Sequence, residues 1–123
     1  MAEGYRNLQV YRKTYPLVLD VYRMTAVFPR EELFGLTSQC RRCAASIPLN
    51  IAEGYAKRES QAEFKRFLMM AMGSSVEMGV LLDLAKDLSY MKEETYTRAN
   101  ATYDEVRKML FSLIERVAGK SEI

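Results

Sequence analysis

Gln39, Arg42, Ser46, Asn50, Glu53 and Lys57 recur at steps of three and four within LTSQCRRCAASIPLNIAEGYAKR, residues 36–58. Wound at about 100° per residue, they share one narrow polar line on a helix. The line has two readings. As structure, it is a hydrogen-bonded network across a helix or subunit contact, in which an arginine holds Glu53 ionised, Asn50 satisfies freed backbone groups and Glu77 joins from a later helix. As function, it borders a ligand or nucleic-acid surface on which Arg41, Arg42, Lys57, Arg58, Lys65 and Arg66 contact phosphates.

Other chemistry finds little support in the residue types. The chain has no histidine, which removes the ordinary Ser-His and Cys-His pairs and the Glu-x-x-His motif of a di-iron bundle. Cys40 and Cys43 lie three apart in a helical pattern with no strand before them, so they read as small buried hydrophobes of a reducing compartment. A tetrahedral zinc site would need two further ligands. Gly73 and Gly79 sit inside a helical pattern, where no strand precedes them to form a phosphate-cradling loop. The expectation is a protein that is not an enzyme, with no metal and no cofactor.

The elements that position the polar line follow from apolar periodicity. Beside it, Leu36, Cys40, Cys43, Ala44, Ile47, Ile51 and Tyr55 form a stripe of core width, and Ala45, Leu49 and Ala52 form a third, small-residue seam. This predicts a helix over 37–57, capped at Thr37 or Ser38, in which Pro48 frees the Ala44 carbonyl for a hydroxyl or water. An earlier helix over 8–28 carries Leu8, Tyr11, Tyr15, Val18, Tyr22 and Thr25 inward, with Asn7 as cap, a kink or water at Pro16 and an end at Phe28-Pro29. Gly35 is then available for a positive φ.

Ser60-Gln61-Ala62-Glu63 reads as a capping box opening a helix over 61–88. Its core line is Phe64, Phe67, Ala71, Ser75, Met78, Leu82 and Ala85, while Met69, Gly73, Val76, Val80 and Leu84 form a second line on the opposite side. A helix apolar on two sides is buried on two sides, and 123 residues are too few to cover both within one subunit. The second line, with Ala45, Leu49 and Ala52, is therefore expected to meet another copy. A last helix over 92–117 turns Tyr96, Ala99, Tyr103, Val106, Leu110, Leu113 and Val117 inward. Short connections make the chain an all-α, antiparallel up-down-up-down four-helix bundle, one domain over 1–123.

Eighteen basic and 16 acidic side chains leave a net charge of +2, too little for a polycation that binds nucleic acid by bulk charge. Six bases face three acids over residues 39–66, which centres any basic patch on the second helix and its exit. No apolar run approaches the roughly 20 residues of a membrane span, and MAEGYRNLQ lacks the apolar core of a signal peptide. A cytoplasmic location and no membrane partner are expected.

The runs YRNLQVYRKTYPLVLDVYRMT, FPREELFGLTSQCRRCAASIPLNIAEGYAKRE and EFKRFLMMAMGSSVEMGVLLDLAKDLSY together resemble the four-helix proteins encoded in intervening sequences of bacterial 23S ribosomal RNA genes. The elements SIPxNIAEG and GSxxE carry the resemblance through Ser46, Ile47, Pro48, Asn50, Ile51, Ala52, Glu53, Gly54, Gly73, Ser74 and Glu77. Ser75, where an apolar residue is common, and Pro16, in place of a helix former, depart from the pattern. The resemblance implies an antiparallel bundle assembled as a ring-like homo-oligomer, often a pentamer, with no catalytic activity. More distantly, the chain is similar to the accessory variability determinant protein of diversity-generating retroelements, a basic pentameric barrel that binds nucleic acid and a reverse transcriptase. The function expected is a non-enzymatic homo-oligomeric scaffold that binds RNA, DNA or a nucleic-acid enzyme such as a reverse transcriptase through its basic surface. The alternative is a protein–protein interaction hub with no nucleic-acid binding.

Overall fold

Heptad-like apolar spacing winds the chain into four α helices: α1 Gln9–Thr25, α2 Leu36–Ala56, α3 Gln61–Asp87 and α4 Glu93–Gly119. The computed structural model describes residues 4–119, and no strand occurs among them. Short 3-10 turns at Gly4–Asn7 and Arg30–Glu32 precede α1 and α2. Sequence neighbours run antiparallel: the end of α1 meets the start of α2 through Thr25 and Arg41, the end of α2 meets the start of α3 through Tyr55 and Phe64, and Gln61 at the start of α3 meets Val117 at the end of α4. α2–α3 and α3–α4 are the broadest contacts and α1–α4 the slimmest, which leaves α1 and α3 diagonal to one another.

The core is built from Val21, Ile47, Ile51, Leu68, Met78, Leu82, Tyr103, Val106 and Leu110, all nearly or fully withdrawn from solvent. The inward lines expected for α2, α3 and α4 are the buried ones, with Tyr55 and Tyr96 at the half-buried margins. α1 differs. Its buried face is Val10, Thr14, Leu17, Val21 and Thr25, whereas Tyr15 and Tyr22, expected inside, lie outside. Two stripes with the same three-and-four spacing interleave on this helix, and periodicity does not say which one faces the core. Pro16 lies on the exposed side and the helix continues through it.

The length expectation also needs correcting for α3. Gln61–Asp87 is long and apolar enough to cross a membrane by length and composition. It reaches that level because it carries two apolar lines, one packed between α2 and α4 and one outward.

Helix ends follow local hydrogen bonding more than the expected caps. Asn7 does not cap α1; Leu8 holds that position with no side-chain cap, and Asn7 Oδ1 instead accepts from Arg12 Nη2 at 3.0 Å. α1 stops at Thr25, short of 28, because the chain tightens into a turn before Pro29, with Phe28 N–H on the Thr25 carbonyl at 3.1 Å. Gly35 keeps a negative φ of −114°. Neither Thr37 nor Ser38 caps α2: the Leu36 N–H donates to Glu32 Oε1 at 3.0 Å, and the Tyr90 hydroxyl donates to Glu32 Oε2 at 2.9 Å. These two bonds, the backbone one first, hold the Glu32 carboxyl below its ordinary value. Half of the capping box is present. Ser60 Oγ accepts from Glu63 N–H at 3.2 Å, while the Glu63 carboxylate turns to Arg66.

α2 and α3 approach closely near their shared connection because residue 54 is glycine. A Cβ there would stand 2.8 Å from Phe67 Cβ and 3.3 Å from the Phe64 carbonyl oxygen, inside normal contact with groups that cannot swing away. Gly54→Ala should therefore destabilise the fold by about 1–3 kcal/mol through overpacking, despite alanine's better helix propensity. Urea denaturation checks this; a variant as stable as the parent would show that the two helices slide apart freely.

Candidate nucleic-acid interface

The polar line on α2 divides into an inner and an outer part. Ser46 Oγ lies 2.7 Å from both the Cys43 carbonyl and Ser74 Oγ, and the Cys43 thiol donates to the Ser74 carbonyl at 3.1 Å. With one proton each, the two hydroxyls form a relay that ends on a backbone acceptor. The Cys43 thiol also interacts with the Glu77 carboxylate. Asn50 Nδ2 donates to the Ser46 carbonyl at 2.8 Å, one turn back along its own helix. These residues stitch α2 to α3 within one subunit.

Gln39, Arg42, Glu53 and Lys57 are exposed. No arginine holds Glu53: its ion-pair partner is Lys57, with Nζ 3.8 Å from Oε2. The physical reason is helix geometry, since Arg42 is three turns away and Lys57 is four residues on. Ala45 and Ala52 are half-buried and Leu49 is exposed, as are Met69, Gly73, Val76 and Val80 on α3. Among the described residues, none covers Leu49, Met69, Val76 or Val80 on this outer surface.

Burial drives both thiols away from ionisation. It pushes Cys40 up to about 11, and burial followed by the Glu77 carboxylate pushes Cys43 up to about 12. Such thiols behave as small apolar side chains.

The six basic residues do not form one patch. Arg42 and Lys57 are 15 residues apart on α2, about 22 Å at 1.5 Å per residue. Arg41 is engaged with α1, its Nε donating to Thr25 Oγ1 at 2.9 Å and its guanidinium lying 4.6 Å from the Tyr22 ring centroid. Arg66 grips both Glu63 oxygens at 3.1 Å, so its fork is occupied. Arg58 lies on the Tyr55 ring at 4.1 Å, and Lys57 and Arg66 share the Phe67 ring at 4.9 and 4.5 Å. Lys65 is exposed beside them.

The antiparallel fold adds bases that a local charge count missed. Arg58 and Arg116 line one cleft of about 430 Å³, floored by Leu8, Tyr55, Phe64 and Leu113. Arg12 Nε donates to the Arg6 carbonyl at 2.9 Å, and Arg6 lies 4.7 Å from the Tyr5 ring centroid, at the same end of the bundle, where Gly4 packs on Tyr55. At that end Arg6, Arg12, Lys57, Arg58, Lys65, Arg66 and Arg116 face Glu53, Glu59, Glu63 and Glu115. At the other end, Arg23, Arg30, Arg41, Arg42, Lys86, Lys92 and Arg98 are balanced by Asp20, Glu31, Glu32, Asp83, Asp87, Glu93 and Glu94. The positive pole is the one at the α2–α3 connection. Arg58 donates one N–H to the Tyr55 carbonyl at 3.0 Å, which leaves its other N–H groups for acceptors such as phosphate oxygens.

Two outcomes test this description. Ser46→Ala breaks an interhelical bond and should cost about 0.5–1.5 kcal/mol in urea denaturation, whereas Glu53→Ala loses only an exposed pair and should stay within about 0.5 kcal/mol; the reverse order would return Glu53 to a buried network. The thiols give a pH signature. Unfolded cysteines ionise near the ordinary 9.0 and folded ones only near 11 and 12, so the stability carried by neutral thiols is complete below pH 9 and lost as pH rises toward 12. The melting temperature should fall over that range, and a Cys40→Ala/Cys43→Ala variant should fall less steeply; parallel profiles would contradict buried, neutral thiols.

The family model of the 23S rRNA-intervening sequence protein matches residues 6–112. No match is found among curated proteins. A crystal structure of a protein of unknown function from the S23 ribosomal protein family of Bacteroides thetaiotaomicron is similar to the chain at a TM-score of 0.78 and 25% identity, covering 86% of this chain and 95% of that one. The match spans α1, the stitched α2–α3 pair and the larger part of α4, and the chain belongs to the 23S rRNA-intervening sequence protein family.

Proposed function

We propose that the protein is a non-enzymatic homo-oligomeric scaffold that binds nucleic acid, or a nucleoprotein partner, through the basic pole at the α2–α3 connection. The observation that carries this reading is the charge asymmetry of the bundle among the described residues, seven bases against four acids at one end and an even balance at the other. Arg58, Lys65 and Arg116 supply phosphate contacts, and Tyr55 supplies an aromatic surface beside them. One subunit offers few contacts. A ring, pentameric as the family resemblance implies, repeats the pole on one rigid face and makes weak contacts multivalent. The outer apolar faces of α2 and α3, exposed at Leu49, Met69, Val76 and Val80 among the described residues, supply the surface for assembly.

Binding of this kind is read from salt. Affinity for a single-stranded RNA or DNA oligonucleotide should fall with ionic strength at a log–log slope of about 0.7–0.9 per phosphate contacted, with little dependence on base sequence. An Arg58→Ala/Lys65→Ala variant should flatten the slope while keeping the parent's solution mass. If the intact oligomer binds neither RNA nor DNA at low salt, the pole is a protein-binding surface and the hub reading replaces this one.

A further inference from the structure

Among the described residues, α1 and α3 each present an apolar outer face that is largely uncovered, Arg41 reaching only the Tyr22 ring at the edge of the α1 face. On α1, Tyr15, Leu19 and Tyr22 are 52%, 45% and 47% exposed; on α3, Val76 and Val80 are 52% and 56% exposed. We infer that these faces are the two halves of one contact between copies of this chain, α1 of one copy against α3 of the next. The inference rests on the homo-oligomeric reading above and goes beyond it by naming the counterpart of the α3 face and the order in which copies join.

Shape supports the pairing. Gly73 sits on the α3 face one turn from Val76, and a Cβ at Gly73 would meet nothing within 4 Å, so the face has a hollow floored by backbone. α1 has the opposite relief, two tyrosine rings seven residues apart with a leucine between them. Knobs on one helix and a hole on the other are the elements of close helix packing. Charge supports it as well. Arg12 and Arg23 edge the α1 face, with Arg23 also holding Asp20 at 2.9 Å, while Glu77 and Asp87 edge the α3 face and Asp83 is turned toward α4, accepting from the Tyr96 hydroxyl at 2.6 Å. Lys86 is turned toward α4, 4.4 Å from the Tyr96 ring centroid. Opposite signs favour α1 against α3 and disfavour either face against itself.

The diagonal placement of α1 and α3 fixes what such a contact builds. The faces lie on different sides of the bundle, so a copy docked on one leaves the other open for a further copy. That is a head-to-tail contact, which propagates until it closes into a ring.

Leu19→Glu and Val80→Glu each place an unpaired carboxylate in one half of the contact. By light scattering each variant alone should be monomeric, at the 14.2 kDa subunit mass, with parental helicity by circular dichroism. Mixed in equal amounts they should form a dimer and stop there, because only one intact α1 face and one intact α3 face remain to meet. Either variant assembling alone to the parent's mass, or a mixture that stays monomeric or grows beyond a dimer, overturns the pairing. Tyr22→Glu and Val76→Glu serve as the second pair if a first variant loses helicity. A monomeric parent protein would sink the oligomer reading itself, an outcome distinct from failure of the mixture.

Discussion

The close approach of α2 to α3 is the constraint on which the other features depend. Gly54 brings the α2 backbone against Phe64 and Phe67, and further along the pair the Cys43, Ser46 and Ser74 bonds fix the rotation of one helix against the other. With that rotation set, the polar line on α2 must split, its inner members turned to α3 and its outer members to solvent. The same rotation leaves Lys57 and Arg66 within reach of one ring, that of Phe67. Packing that is apolar and local thus decides where charge is displayed.

The sequence was most legible where one pattern dominated. On α3 and α4 the inward lines are long, and hydroxyls or small residues such as Ser75 and Ala99 keep their place within them. α1 was not legible in this way, because Val10, Thr14, Leu17 and Val21 interleave with Tyr11, Tyr15, Val18 and Tyr22 at the same spacing. Large aromatic side chains outweighed smaller ones in the reading, yet the smaller ones fit the crowded side facing α2 and α4. The cap of α2 escaped notice for a different reason. Capping rules look at the residues next to a helix start, and Glu32 reaches Leu36 from the preceding turn.

The basic surface shows the limit of reading charge along the chain. Arg6, Arg12 and Arg116 are distant in sequence from Arg58 and join it only because antiparallel helices bring the start of α1 and the end of α4 to the α2–α3 connection. Arg41, Arg42 and Arg66 lost weight in the opposite sense, by distance for the first two and by a carboxylate partner for the third. Family membership accounts for the helical architecture without naming a ligand. The chemistry of recognition therefore has to be read from the pole itself, where cations lie on aromatic rings with few acids to quench them.

Glu32 also affects how the bundle moves. Its two oxygens tie the turn before α2 to the turn before α4, so both connections at that end are held by one carboxylate. At the opposite end a single connection joins α2 to α3. The charged end is restrained differently, by the close approach at Gly54 and by the Gln61 bond to the Val117 carbonyl, so its long basic side chains project from a backbone that is itself held.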